Sequence, residues 1–165
     1  MEEDVSAIKN EIWKKMKVRL CCGAMSVCLL TLQCFAYLGG DVSTVQADGA
    51  HINASLRTTQ AQNYMVHELQ SPSGATVREY ASPAGKVFAV TWKTSARPDL
   101  KQLLGPHFEE FQKAAESQRT PGGHAPLLVH LPNLIVELGG HMRSFTGRAY
   151  LPDQIPAGVH AEDIR

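Results

Sequence analysis

Between Asn63 and Lys93 the chain uses one turn twice, and this repetition restricts the fold more than any other feature of the sequence. Ser71-Pro72-Ser73-Gly74 and Ser82-Pro83-Ala84-Gly85 separate three runs rich in β-branched and aromatic residues. Proline pre-sets φ near −65° at the second position of a β-turn, and glycine supplies the positive φ that a tight turn needs. The pattern predicts strands at Tyr64–Gln70, Ala75–Ala81 and Lys86–Lys93, joined as an antiparallel meander. In the third strand, strict alternation places Phe88, Val90 and Trp92 on one face. Val87, Ala89 and Thr91 fall on the other, so this strand reads as buried on both sides.

The cover for that strand follows directly. Leu100, Leu103, Leu104, Phe108, Phe111 and Ala115 recur at steps of three and four, a stripe wide enough to dock a helix over Pro98–Gln118 on a sheet. Pro98 suits the first turn. Gly105-Pro106 interrupts the pattern, and a mid-helix proline removes a hydrogen bond, so a kink or two abutting helices are expected there. Ile52–Thr58 alternates like a half-buried strand. Leu127–Leu131 and Leu134–Leu138 are apolar strands around Pro132-Asn133. Gly139-Gly140 reads as a tight turn, and Met142–Tyr150 as the last strand. Leu38–Gln46 reads as a loop or a loose arm. Leu151–Arg165, with Pro152 and Pro156, reads as an irregular tail ending in a short turn near Ala161–Ile164. The expected fold class is α+β, one antiparallel sheet of six or seven strands with a kinked amphipathic helix on one face.

All four cysteines, Cys21, Cys22, Cys28 and Cys34, lie in one apolar stretch. That clustering suits small apolar fillers better than a disulfide or metal framework. Val18–Ala36 follows Lys14, Lys15 and Lys17, carries Arg19 at its start and ends in Cys34-Phe35-Ala36, the basic, apolar and small-residue order of a secretory signal. Residues 16–36 are therefore read as a signal cleaved after Ala36. Its length also suits an uncleaved anchor formed by residues 18–36. Either way, residues 37–165 become a single exported domain. Met1–Lys15 is acidic and amphipathic, unlike a signal's start, and reads either as an over-extended frame with translation beginning at Met16 or as a genuine cytoplasmic extension. From Tyr37 onward, eleven Lys and Arg meet twelve Asp and Glu, which gives no field for nucleic acid.

The chemistry-bearing residues form no recognised constellation. His51, His67, His107, His124, His130, His141 and His160 show no helical i, i+4 spacing for zinc. Ser144 near His141 lacks a nucleophile motif, and Glu109-Glu110 point to different sides of a helix as solvated carboxylates. Gly122-Gly123 and Gly139-Gly140 lack a phosphate-binding context. Asn53-Ala54-Ser55 matches a glycosylation sequon. Two readings remain open. One is a non-catalytic binding face of Arg78, Tyr80, Arg143, Arg148 and Tyr150. The other is a small hydrolase or metal-dependent enzyme using His130, Glu137 and His141. No cofactor is indicated. The expected partner is an envelope protein or component, with membrane contact only through residues 18–36.

Three stretches together carry a family likeness. They are Leu38-Gly39-Gly40 leading to Ser43–Asp48; Thr76–Tyr80 with Ser82–Val90 and Trp92; and Gly140–Arg143 with Gly147–Tyr150. They resemble a family of short exported proteobacterial proteins known as a domain of unknown function, family 2844, from about Leu38 onward. The resemblance implies a Gram-negative origin and a periplasmic or secreted location. It brings no activity, cofactor or catalytic residue. The acidic Met1–Lys15 prefix departs from the family's usual start.

Overall fold

The computed structural model describes residues 37–44, 54–118 and 126–165. The expectations for Met1–Lys15, the 16–36 signal, the four cysteines, Asn53, His51 and His124 lie outside the described residues.

The twin turns close as the sequence requires. Gly74 N–H donates to the Ser71 carbonyl and Gly85 N–H to the Ser82 carbonyl, both at 2.9 Å. The two glycines take φ of 81° and 75°. They join β2 (Met65–Gln70), β3 (Thr76–Ala81) and β4 (Val87–Thr94). β1 (Ser55–Gln60) precedes them as an edge strand. After a helical crossover come β5 (Leu127–His130), β6 (Ile135–His141) and β7 (Ser144–Tyr150). The seven strands form one sheet in the order β1-β2-β3-β4-β7-β6-β5, with every pairing antiparallel. Two meanders are thus zipped together along β4 and β7.

The crossover is α1 (Leu100–Leu104), one 3₁₀ turn at Gly105–His107, and α2 (Phe108–Ser117). Asp99, not Pro98, starts it: the Asp99 carboxylate accepts from Gln102 N–H at 3.1 Å as an N-cap. Gly105-Pro106 divides the pattern as expected. Tyr37 lies against Gly105 so closely that a Cβ there would sit 2.5 Å from its ring. Leu104, Phe111 and Ala115 bury against Val90, Trp92, Val129, Val136 and Ala149. Each large side chain so buried contributes about 1.5–3 kcal/mol.

Four expectations are corrected. Phe88 does not share a face with Val90 and Trp92. The β3–β4 register shifts at Tyr80/Ala81, a bulge that turns Phe88 away from the helices to pack with Tyr64 and Tyr80 on the far face. Ser55–Gln60 is exposed along its whole length rather than half-buried, because no described residue covers this edge strand. Gly139 and Gly140 lie within β6; the hairpin turns at Met142-Arg143, where Arg143 takes φ of 66°. Leu38 belongs to no loose arm. It is fully buried, and Gly39 N–H and Gly40 C=O pair with Val87.

Candidate functional site

The sheet has a helix face and a far face, and the register sorts the candidate residues between them. Side chains alternate along a strand, and directly paired residues share a face. Arg57, Glu68, Arg78, Thr91, Arg148, Glu137 and Leu128 therefore form one continuous rung across all seven strands of the far face. The rung above it carries Val66, Tyr80, Ala89, Tyr150 and Ile135. The rung below carries Thr76, Lys93, Thr146 and Gly139.

The upper rung is apolar and is covered by the last residues of the chain. Ile155, Val159, Ala161 and Ile164 pack on Tyr80, Phe88, Ala89 and Tyr150. This segment is not an irregular tail. The short turn expected near Ala161–Ile164 is there, as a 3₁₀ turn at Ala161–Asp163, but a second 3₁₀ turn stands at Pro152–Gln154 and Ile164 is buried. The charged rung clasps its end. Arg148 Nη1 donates to the carbonyls of Ala161 at 2.8 Å and Ile164 at 3.4 Å. Tyr80 Oη bonds both the carbonyl and the N–H of Arg165, and Arg78 Nη1 donates to the same carbonyl at 3.1 Å.

Each arginine is also paired outward. Arg78 Nε meets Glu68 Oε2 at 2.5 Å, and Arg148 Nη2 meets Glu137 Oε1 at 2.8 Å. The Glu137 hydrogen bond raises the Arg148 pKa above its ordinary value against some desolvation. The guanidinium also lies 5.7 Å from the Tyr150 ring centroid. Burial raises the Tyr150 phenol.

Beyond this strap the lower rung stays open among the described residues. A cleft of about 610 Å³ lies there, floored by Thr91, Lys93, Thr146 and Gly139 and walled by Glu162, Ile164 and Arg165. Arg78, Lys93, Arg148 and Arg165 line it with Glu137 and Glu162, and the ion pairs to Glu68 and Glu137 offset Arg78 and Arg148.

The structure thus brings together Arg78, Tyr80, Arg148 and Tyr150 on the far face. Tyr80 and Tyr150 are covered by the strap. Arg143 is not with them; it stands exposed at the β6–β7 turn. His130, Glu137 and His141 lie on the same face, but Glu137 is engaged by Arg148, and His141 Nδ1 lies 3.2 Å from the Met142 carbonyl oxygen at the hairpin end. Among the described residues, no group of three or more His, Cys, Asp or Glu is placed to hold a metal ion. No described helix is long and apolar enough to cross a membrane. Glu110 accepts from Asn133 Nδ2 at 3.2 Å and so steadies the β5–β6 turn. Sequence reasoning missed Thr76, Thr91, Lys93 and Thr146. Their signal was the polar phase of the same alternation that named Val90 and Trp92.

A family model described as "Protein of unknown function (DUF2844)" matches residues 34–164. No curated protein and no solved structure matches.

Proposed function

We propose, for a chain that belongs to the DUF2844 family of proteins of unknown function, the role of an exported, non-catalytic binding module of the bacterial cell envelope. The observation that carries this reading is the half of the far sheet face that no described residue covers, where cations and threonine hydroxyls border an open cleft beside a strapped, apolar half. A concave site with a few convergent polar groups is the usual form of a ligand surface. The basic, apolar and small-residue order of residues 14–36 supports delivery to the envelope.

The test compares the full-length protein with Lys93→Glu. Lys93 is exposed and makes no ion pair among the described residues, so the substitution leaves the core untouched. Immobilised wild-type protein is expected to retain an envelope component that Lys93→Glu does not retain. Equal retention by both would contradict a role for the cleft. Cell fractionation checks the location, and recovery of the protein in the cytoplasm alone would contradict export.

A further inference from the structure

The register places three cations around one threonine. Arg78 and Arg148 are the direct cross-strand neighbours of Thr91 on either side, and Lys93 follows two residues along the same strand and face. Adjacent strands are about 4.8 Å apart and alternate residues about 6–7 Å apart, so all three backbones lie within one small patch. The arginines are held in place, each by a glutamate on the next strand and by a carbonyl of the strap. Arg148 Nε is buried with no hydrogen-bond partner among the described residues. Such a donor, left unmade, is costly. Thr76 and Thr146 flank Lys93 in the adjacent rung. The Glu162 carboxylate belongs to the opposite wall.

From this arrangement, and resting on the binding reading above, we infer that the far-face cleft is a binding site for an anionic saccharide, with its acidic group seated over Thr91 between Arg78, Arg148 and Lys93. Lys93, which makes no ion pair among the described residues, sets the sign of the ligand. Guanidinium groups suit the two oxygens of a carboxylate or the oxygens of a phosphate. The threonine hydroxyls donate to and accept from neutral hydroxyl groups, the Glu162 carboxylate accepts from them, and a sugar ring presents such groups on each side of its acidic substituent. The cleft volume of about 610 Å³ falls within the roughly 300–1,000 Å³ common for small-ligand sites. A uronate and a sugar phosphate both carry such an anionic group, and the test separates them.

The full-length protein is titrated calorimetrically with an oligogalacturonate, a neutral galactose oligomer of equal length, glucose 1-phosphate, inorganic phosphate and an oligo-aspartate. At least one acidic sugar is expected to bind, and the neutral oligomer is not. Loss of one charge-assisted contact in Lys93→Ala is expected to weaken binding about tenfold or more, and Lys93→Arg to restore most of it. Raised salt is expected to weaken it as well. Oligogalacturonate against glucose 1-phosphate decides between carboxylate and phosphate. Inorganic phosphate binding as tightly as either sugar would overturn the saccharide inference. So would preferential binding of oligo-aspartate, which would leave the binding module intact with a different ligand. If none binds while envelope retention still depends on Lys93, the saccharide alone fails. If retention is also indifferent to Lys93→Glu, the binding reading fails with it.

Discussion

The two faces of this sheet solve the same problem by different means. On the helix face, Leu104, Phe111 and Ala115 lie over Val90, Trp92, Val136 and Ala149, and the cover is a continuous helical element carrying its own backbone hydrogen bonds. On the far face, the cover is a short strap of two 3₁₀ turns, anchored by Ile164 and by the bonds from Arg148, Tyr80 and Arg78. The strap shields only the aromatic rung. A face closed by a helix contributes stability along its whole length, whereas a face closed by a strap keeps half its surface for something else. The difference follows from the side chains. The rung below the strap is threonine and lysine, which have nothing to gain from burial.

The largest expected effect lies on the helix face. Phe111→Ala, at a site 5% exposed, is expected to cost about 3–5 kcal/mol in denaturant unfolding, a large share of the roughly 5–15 kcal/mol that holds a domain folded. The sequence pointed to Phe108 equally, but Phe108 is only half-buried and should cost less. A small effect at Phe111 would deny that the helices hold the sheet. Ile164→Ala removes the strap's anchor. It is expected to cost about 2–5 kcal/mol, toward the low end because a surface strap collapses more easily than a core. A cost equal to that of Phe111→Ala would erase the distinction between the faces. Tyr80→Phe deletes only the hydroxyl that bonds both backbone groups of Arg165, and about 1–2 kcal/mol is expected.

A smaller effect appears with pH. Burial lowers the His67 pKa below its ordinary 6.5, and its Nδ1 lies 3.1 Å from Thr58 Oγ1. The folded state then binds fewer protons than the unfolded state. His67's contribution to stability is fully present above the unfolded value near 6.5 and is lost as the pH falls through the lower folded value. His67→Gln is expected to flatten the unfolding midpoint between pH 7.5 and pH 5 relative to wild type. An unchanged slope would show that this ring titrates as it does in water.

Much of this architecture is legible in the residues. The two Ser-Pro-x-Gly turns, the helical stripe and the break at Gly105-Pro106 each have a local cause that the sequence displays. Three features do not. Val87 and Phe88 are both apolar, so nothing in their types announces a bulge that reverses Phe88. Gly139-Gly140 looks like a turn, yet Gly140 is needed inside β6, where a Cβ would meet the Ser144 carbonyl oxygen at 2.0 Å. The strap reads as irregular because Ile155, Val159 and Ile164 follow no period, and their order comes from the surface they meet. The candidate site was half legible for the same reason. The residue types named Arg78 and Arg148, but only the cross-strand register puts Thr91 between them and sets Lys93 beside it.

The most direct test of this two-sided account is thiol labelling under native conditions. With Cys21, Cys22, Cys28 and Cys34 replaced by serine, single cysteines are introduced in turn at Thr146, Ala89 and Ala149. Thr146 floors the open cleft, Ala89 lies beneath the strap, and Ala149 lies beneath the helices. Local opening requires less free energy than global unfolding, so the rates are expected to fall in the order Thr146, Ala89, Ala149. Labelling of Thr146→Cys as slow as that of Ala149→Cys would contradict the account, because the far face would then be closed as completely as the helix face.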